Sequence, residues 1–283
     1  MLKKIIAIAL MLVSTISFSS SKNIQLTKDN TIVFRGVVDG ATVSKAQSDL
    51  LALHLALPKG KPIYLFLDTP GGSIESGMEF INFAKSLDRE VKTITSFAAS
   101  MGFVMAQQLG ERLILPGGIL MSHRATIGLE GQIPGEFNTR SNFFLKLVTR
   151  EEETVASRLE MSHEEYAKLI HDEYWTFGQS AVDENAADKV VQVTCSEDLL
   201  KTSHVETVRV FVFSVKVKFS DCPLIHSPLG IDKSSDVLTT LYPYEAAQVD
   251  NVLNELFTNR VNFVKEYITT GKYRKYFDKG SDK

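Results

Sequence analysis

The stretch Ile63-Tyr-Leu-Phe-Leu-Asp-Thr-Pro-Gly-Gly-Ser73 passes from an unbroken apolar run to a pair of glycines. Residues 63–67 lack the alternation of a strand with one wet face, so they read as a strand covered on both faces. The amphipathic run over residues 74–87 follows at once, with Ser73 placed to cap it. A buried strand feeding a helix through a tight turn is the repeating unit of a parallel α/β sheet. Open sheets of this kind hold their ligands at the carboxyl ends of strands, where adjacent glycines let backbone approach a ligand closely.

The same alternation extends outward over residues 31–193. It predicts strands at residues 32–34, 91–95, 113–115, 119–121 and 190–193. Helices are predicted at 43–55, 98–109, 136–159, 163–171 and 179–187, the fourth opened by a Ser162/Glu165 capping box. The order implies an α/β fold with a mostly parallel sheet, flanking helices and right-handed crossovers. Beyond Cys195 the pattern changes to a strand or hairpin over 205–219, a loop over 221–235 and an amphipathic helix over 244–267, a small α+β extension. The expected division is 1–21, 22–195 and 196–283.

The 283 residues carry 31 Lys and Arg against 34 Asp and Glu, a net charge of -3, so there is no basic surplus to hold nucleic acid or anionic lipid. Hydrophobic residues at 44% and charged residues at 23% fit a folded globular chain. Lys3 and Lys4, an apolar run over 5–13 and a serine-rich end at Ser21 have the layout of a secretory signal peptide. The run falls short of the ~20 residues that span a bilayer. Export to a periplasmic or extracellular compartment removes ATP as a resource, and no GxxxxGK[ST] or GxGxxG motif is present. The two cysteines, Cys195 and Cys222, leave one bridge open.

Three features gather chemistry at strand ends. The first is the Asp68-Thr-Pro-Gly-Gly-Ser73 turn. The second is Phe97-Ala-Ala-Ser-Met-Gly102, which puts Ser100 at a helix N-terminus, where unpaired N–H groups stabilise an oxyanion. The third is His123, closing Ile119-Leu-Met-Ser-His at the edge of a predicted strand. A nucleophile, a base and an oxyanion pocket require this combination.

At these residues the chain resembles the proteolytic subunit of the Clp protease, a serine peptidase of the crotonase-like superfamily. The matching stretches are Thr69-Pro-Gly-Gly-Ser-Ile-Glu-Ser-Gly77, Ala98-Ala-Ser-Met-Gly102, Leu115-Pro-Gly-Gly-Ile-Leu-Met-Ser-His123 and Gln179-Ser-Ala-Val-Asp-Glu-Asn-Ala-Ala-Asp188. The resemblance implies Ser100 as nucleophile, His123 as general base, the N–H groups of Gly72 and Met101 as oxyanion hole, and no metal or cofactor. For the acid it points to Glu173, with Asp172 as the alternative. Arg124 and Ala125 stand where the family usually has glutamine and proline. Family members form stacked heptameric rings fed by an ATP-driven unfoldase, a partner an exported chain could not use. The helix over 136–159 matches the stacking helix, and Phe137, Phe143, Phe144, Leu147 and Val148 would supply an apolar contact between copies of a homo-oligomer.

The expected function is ATP-independent hydrolysis of peptide bonds in unfolded polypeptides or peptides. The main competing reading is a catalytically inactive scaffold or binding protein that keeps the fold. Others are thioester chemistry on coenzyme A, and a serine–lysine dyad using Lys85 or Lys92. The scaffold reading expects Ser100 and His123 to stand beyond hydrogen-bonding reach of about 3 Å, or no carboxylate to face the imidazole ring.

Overall fold

The computed structural model describes residues 23–210 and 213–231. The expected signal segment and the expected helix over 244–267 lie outside them. In chain order the elements are β1 (Asn23–Leu26), β2 (Thr31–Arg35), α1 (Gly40–Ala56), β3 (Ile63–Thr69), α2 (Ile74–Ser86), β4 (Val91–Ala99), α3 (Met101–Gln108) and β5 (Arg112–Ser122). There follow α4 (Gly135–Arg158), α5 (His163–Leu169), β6 (Tyr174–Phe177), α6 (Gly178–Asp183), β7 (Lys189–Val190), β8 (Gln192–Cys195), α7 (Glu197–Lys201), β9 (Ser203–Val210), β10 (Phe213–Ser220) and β11 (Gly230–Ile231).

The main sheet has the order β2-β3-β4-β5-β6, parallel from β2 to β5, with β6 antiparallel and β7 pairing with the start of β5. Its central strands bury residues on both faces because both faces are covered. Ile63, Leu65 and Leu67 of β3 join the larger core, with Phe80 and Ile81 of α2 and Phe103 of α3. Phe66 points the other way, into a second cluster with Ile24, Leu26, Ile94, Leu113, Leu199 and Cys222. That cluster is roofed by β1 and β8, a parallel pair that stands apart from the main sheet.

Several expected boundaries shift where pairing overrides local propensity. Ala98 and Ala99, read as helix, complete β4 because they pair with Leu120 and Met121 of β5. Residues 113–115 and 119–121 belong to one strand, whose Pro116-Gly117-Gly118 segment accommodates a register shift against β4 between Thr95 and Phe97. A Cβ on Gly118 would stand 2.4 Å from the Thr95 carbonyl oxygen, so glycine is needed there. The helix expected over 179–187 ends at Asp183, since Asn185 turns left-handed (φ 58) and the N–H groups of Ala186 and Ala187 both return to the Ala181 carbonyl. Residues 190–193 split between β7 and β8. The elements β1, β6, α7 and β11 were not foreseen, whereas the Ser162/Glu165 capping box and the hairpin of β9 with β10 are present.

Cys195 and Cys222 form a disulfide, with Cα atoms 5.8 Å apart. It ties the end of β8 to the turn after β10 and so anchors the segment that follows. There the Pro223 carbonyl accepts a hydrogen bond from Arg35 Nη2 at 2.7 Å. Arg35 Nε in turn donates to the buried Asp68 Oδ2 at 2.9 Å, and His226 Nδ1 lies 3.3 Å from the same oxygen. The bridge thereby holds the chain beyond β10 against the carboxyl ends of β2 and β3, at Asp68, where the glycine turn begins.

Cross-linking residues 27 apart restricts the unfolded chain by an amount worth about 3.5 kcal/mol. The pair Cys195→Ser and Cys222→Ser is therefore expected to lose stability of that order in urea denaturation. Midpoints that coincide with the parent would contradict this.

Candidate active site

Ser100 stands between β4 and α3 with φ 55 and ψ -119, a conformation that costs a non-glycine residue of order 1–3 kcal/mol. Two hydrogen bonds hold it there. Its N–H donates to the Met121 carbonyl at 2.9 Å, and its own carbonyl accepts from Val104 N–H at 3.2 Å. The expected N-cap position is occupied, but the Ser100 side chain makes no capping bond. Its Oγ lies 2.9 Å from His123 Nε2.

The two meet because β4 and β5 are parallel neighbours that end together: Ala99 pairs with Met121. Ser100 is one residue past that pair and His123 two, so 23 residues of chain return the imidazole to the hydroxyl. Ser122, just before His123, is fixed by a 2.7 Å hydrogen bond between its Oγ and the buried Tyr166 hydroxyl. Burial pushes the Tyr166 phenol up to about 12, against a smaller opposing effect of the Ser122 bond, which keeps the ring neutral at ordinary pH.

The glycine turn closes over the serine. Val38 N–H donates to the Gly71 carbonyl and Ser73 N–H to the Val38 carbonyl, both at 2.8 Å, forming a parallel bridge between Val38 and Gly72. In such a bridge the flanking residues bond to Val38, so the N–H of Gly72 itself points to the opposite side. Gly71 sits so close to Ser100 that a Cβ there would be 2.7 Å from Ser100 Cβ and 2.8 Å from Met101 N. Met101 is the first residue of α3, whose N–H has no carbonyl four residues back within the helix. Its side chain rests on Gly77 of α2, where a Cβ would come within 2.4 Å of Met101 Cγ. The turn itself is braced by Thr69, whose Oγ1 accepts from Gly71 N–H at 3.0 Å.

The two carboxylates differ in placement. Ser122 pairs with Tyr174 at the end of the antiparallel β5–β6 ladder, and the next residues on either strand are His123 and Glu173. Glu173 (φ 73) lines the same cavity as Ser100 and His123, and its Oε2 accepts from the indole Nε1 of Trp175 at 3.1 Å. Asp172 has a side chain 96% exposed, lies outside that lining and stands 3.8 Å from His171 Nδ1. The lysines of the dyad reading are engaged elsewhere: Lys85 with Gln108 and Lys92 with Glu111.

The cavity occupies about 1110 Å³ and runs from Val37 and the glycine turn to residues of α4 and α5. A hydroxyl in contact with an imidazole, beside a glycine turn and the N-terminus of a helix, suits this space to addition at a carbonyl carbon. Sequence reasoning singled out the turn that contains Thr69 and Gly71 without giving either residue its supporting contact, and it passed over Tyr166 and Trp175. Trp175 was accessible in principle: it is the single tryptophan, two residues from Glu173 and so on the same side of an extended chain.

Gly71→Ala is expected to slow covalent modification of Ser100 by a phosphonate at least tenfold, since the methyl must displace Ser100 or Met101. Stopped-flow or quenched labelling measures this. A rate within twofold of the parent would show that the turn yields without disturbing the serine.

The sequence matches the family model described as Clp protease over residues 18–194. It is 28% identical over 170 residues to ATP-dependent Clp protease proteolytic subunit 3 of Rhodococcus jostii (strain RHA1), covering 59% of this chain and 83% of that protein. It is 27% identical over 172 residues to the ATP-dependent Clp protease proteolytic subunit of Lactococcus lactis subsp. lactis (strain IL1403), covering 59% of this chain and 86% of that protein. Together with the α/β architecture, these matches establish that the chain belongs to the Clp protease family and is a serine peptidase.

Proposed function

We propose that the protein is an exported endopeptidase that cleaves unfolded polypeptides or peptides without ATP, through a triad of Ser100, His123 and Glu173. The 2.9 Å approach of Ser100 Oγ to His123 Nε2 carries this reading. It also weighs against the form of the inactive scaffold in which those two side chains stand apart.

In the proposed reaction Ser100 Oγ attacks the peptide carbonyl carbon as His123 Nε2 takes the hydroxyl proton. The negative charge that forms on the carbonyl oxygen is received by the N–H groups of Gly72 and Met101. His123 then gives its proton to the leaving amine, and water, activated by the same nitrogen, releases the acyl group. Glu173 is favoured over Asp172 as the group that orients and balances the imidazolium, because it lies beside the base in the cavity. Its backbone is left-handed (φ 73), and its carboxylate is steadied by Trp175.

The Cys195–Cys222 bridge supports an oxidising compartment, and the basic and apolar start of the chain supports delivery there. Self-association through α4 is supported by its exposed Phe137, Phe143 and Leu145, the second of them 61% exposed. Of the five residues expected at such a contact, Val148 instead lines the cavity.

Ser100→Ala is expected to lower kcat on a reduced, alkylated protein substrate by 10³-fold or more. Glu173→Gln is expected to lower it by roughly 10²–10⁴-fold, and Asp172→Asn by less than twofold. Added ATP changes none of these rates. Equal losses for the two acid variants would reject the assignment of Glu173, and an active Ser100→Ala protein would reject the mechanism.

A further inference from the structure

The cavity beside Ser100 continues past the nucleophile and base to an acidic wall on α4. Val148, Glu151, Glu152 and Val155 line it, the i, i+3, i+4, i+7 face of one helix. Glu151 is only 8% exposed. Its Oε2 accepts a hydrogen bond from Gln108 Nε2. The other end of that amide, Gln108 Oε1, accepts from Lys85 Nζ at 3.1 Å, so a neutral group separates the carboxylate from the lysine. Among the described residues Gln108 is the hydrogen-bond partner of Glu151, no cation pairs with it, and Oε1 takes no hydrogen bond. Glu152 differs: its Oε2 meets His163 Nε2 at 2.8 Å.

A buried carboxylate without a cation is costly, and the shortfall is met when a ligand brings one. The position of Glu151 says what length of ligand is needed. Ser100, Val104 and Gln108 follow one another at intervals of four along one face of α3, and the first two line the cavity. At 1.5 Å per residue the Gln108 end, where Glu151 is held, lies about 12 Å along the helix from Ser100. A short side chain on a carbonyl seated at Ser100 stops beside Val104. A long one with a cationic tip extends past Val104 toward the open oxygen.

We propose that Glu151 forms the floor of the pocket for the substrate residue preceding the cleaved bond, selecting lysine or arginine there, with Glu152 adding to the negative potential. This deepens the peptidase reading and rests on it. The competing account makes Glu151 a structural tie, through Gln108, between α4 and α3.

The test compares covalent labelling rates for two aryl phosphonates, one bearing a lysine-like side chain and one a leucine-like side chain, with a simple fluorophosphonate as reference. The lysine-like probe is expected to react at least tenfold faster. Glu151→Gln is expected to collapse that ratio toward one, and Glu151→Asp, which keeps the charge, to retain part of it. Circular dichroism and melting temperature report whether each variant folds, and a purely structural tie would shift melting without moving the ratio. Should a Glu151 variant fail to fold, the ratio in the parent protein decides. A parent ratio at or below one, or a ratio unmoved in folded Glu151→Gln, overturns the inference while fluorophosphonate labelling leaves the peptidase reading standing. Failure of the fluorophosphonate itself to label the parent overturns that reading, and this one with it.

Discussion

The site depends on a serine held in a backbone conformation that it would not adopt alone. Ser100 links a strand to a helix through a left-handed turn, and its strain is held by hydrogen bonds to Met121 and from Val104. Because the carbonyl of Met121 belongs to β5, the strand that carries His123 also fixes the backbone of the serine. One strand pair thus sets both partners of the 2.9 Å contact. The glycine turn then needs only to approach from β3, and the clearance at Gly71 leaves no room for a side chain.

Support for this arrangement spreads through both faces of the sheet. On one face, α2, α3 and the end of α4 build the larger core, and Met101 is seated against Gly77. On the other, the β1–β8 pair and Cys222 cover Phe66, Ile94 and Leu113. The disulfide brings the chain after β10 into contact with Arg35 and Asp68, so this segment braces the strand ends from which the glycine turn departs. The segment that does the bracing lies beyond the family-model match, which covers residues 18–194.

Much of the site could be read in the sequence because its parts are local. The glycine pair, Ser100 ahead of a helix and His123 after an apolar strand are each signalled by a few adjacent residues. The capping box at Ser162 is equally local, and it is present. What stayed hidden depends on pairing between distant segments. Ala98 and Ala99 favour a helix by propensity, yet bonding to β5 makes them strand. The strand β6 has four residues between two helices, too few for a periodic signal, and it is the element that places Glu173 next to His123. Glu151 and Glu152 look alike in sequence; only packing against Gln108 distinguishes the buried carboxylate from its neighbour.

The central claim is that the Ser100 hydroxyl, activated by His123, is the nucleophile of this peptidase. Peptide mapping by mass spectrometry after reaction with a fluorophosphonate tests it most directly. The account predicts one stoichiometric adduct located on Ser100. An adduct located on a different residue, or none on a folded sample, would contradict it.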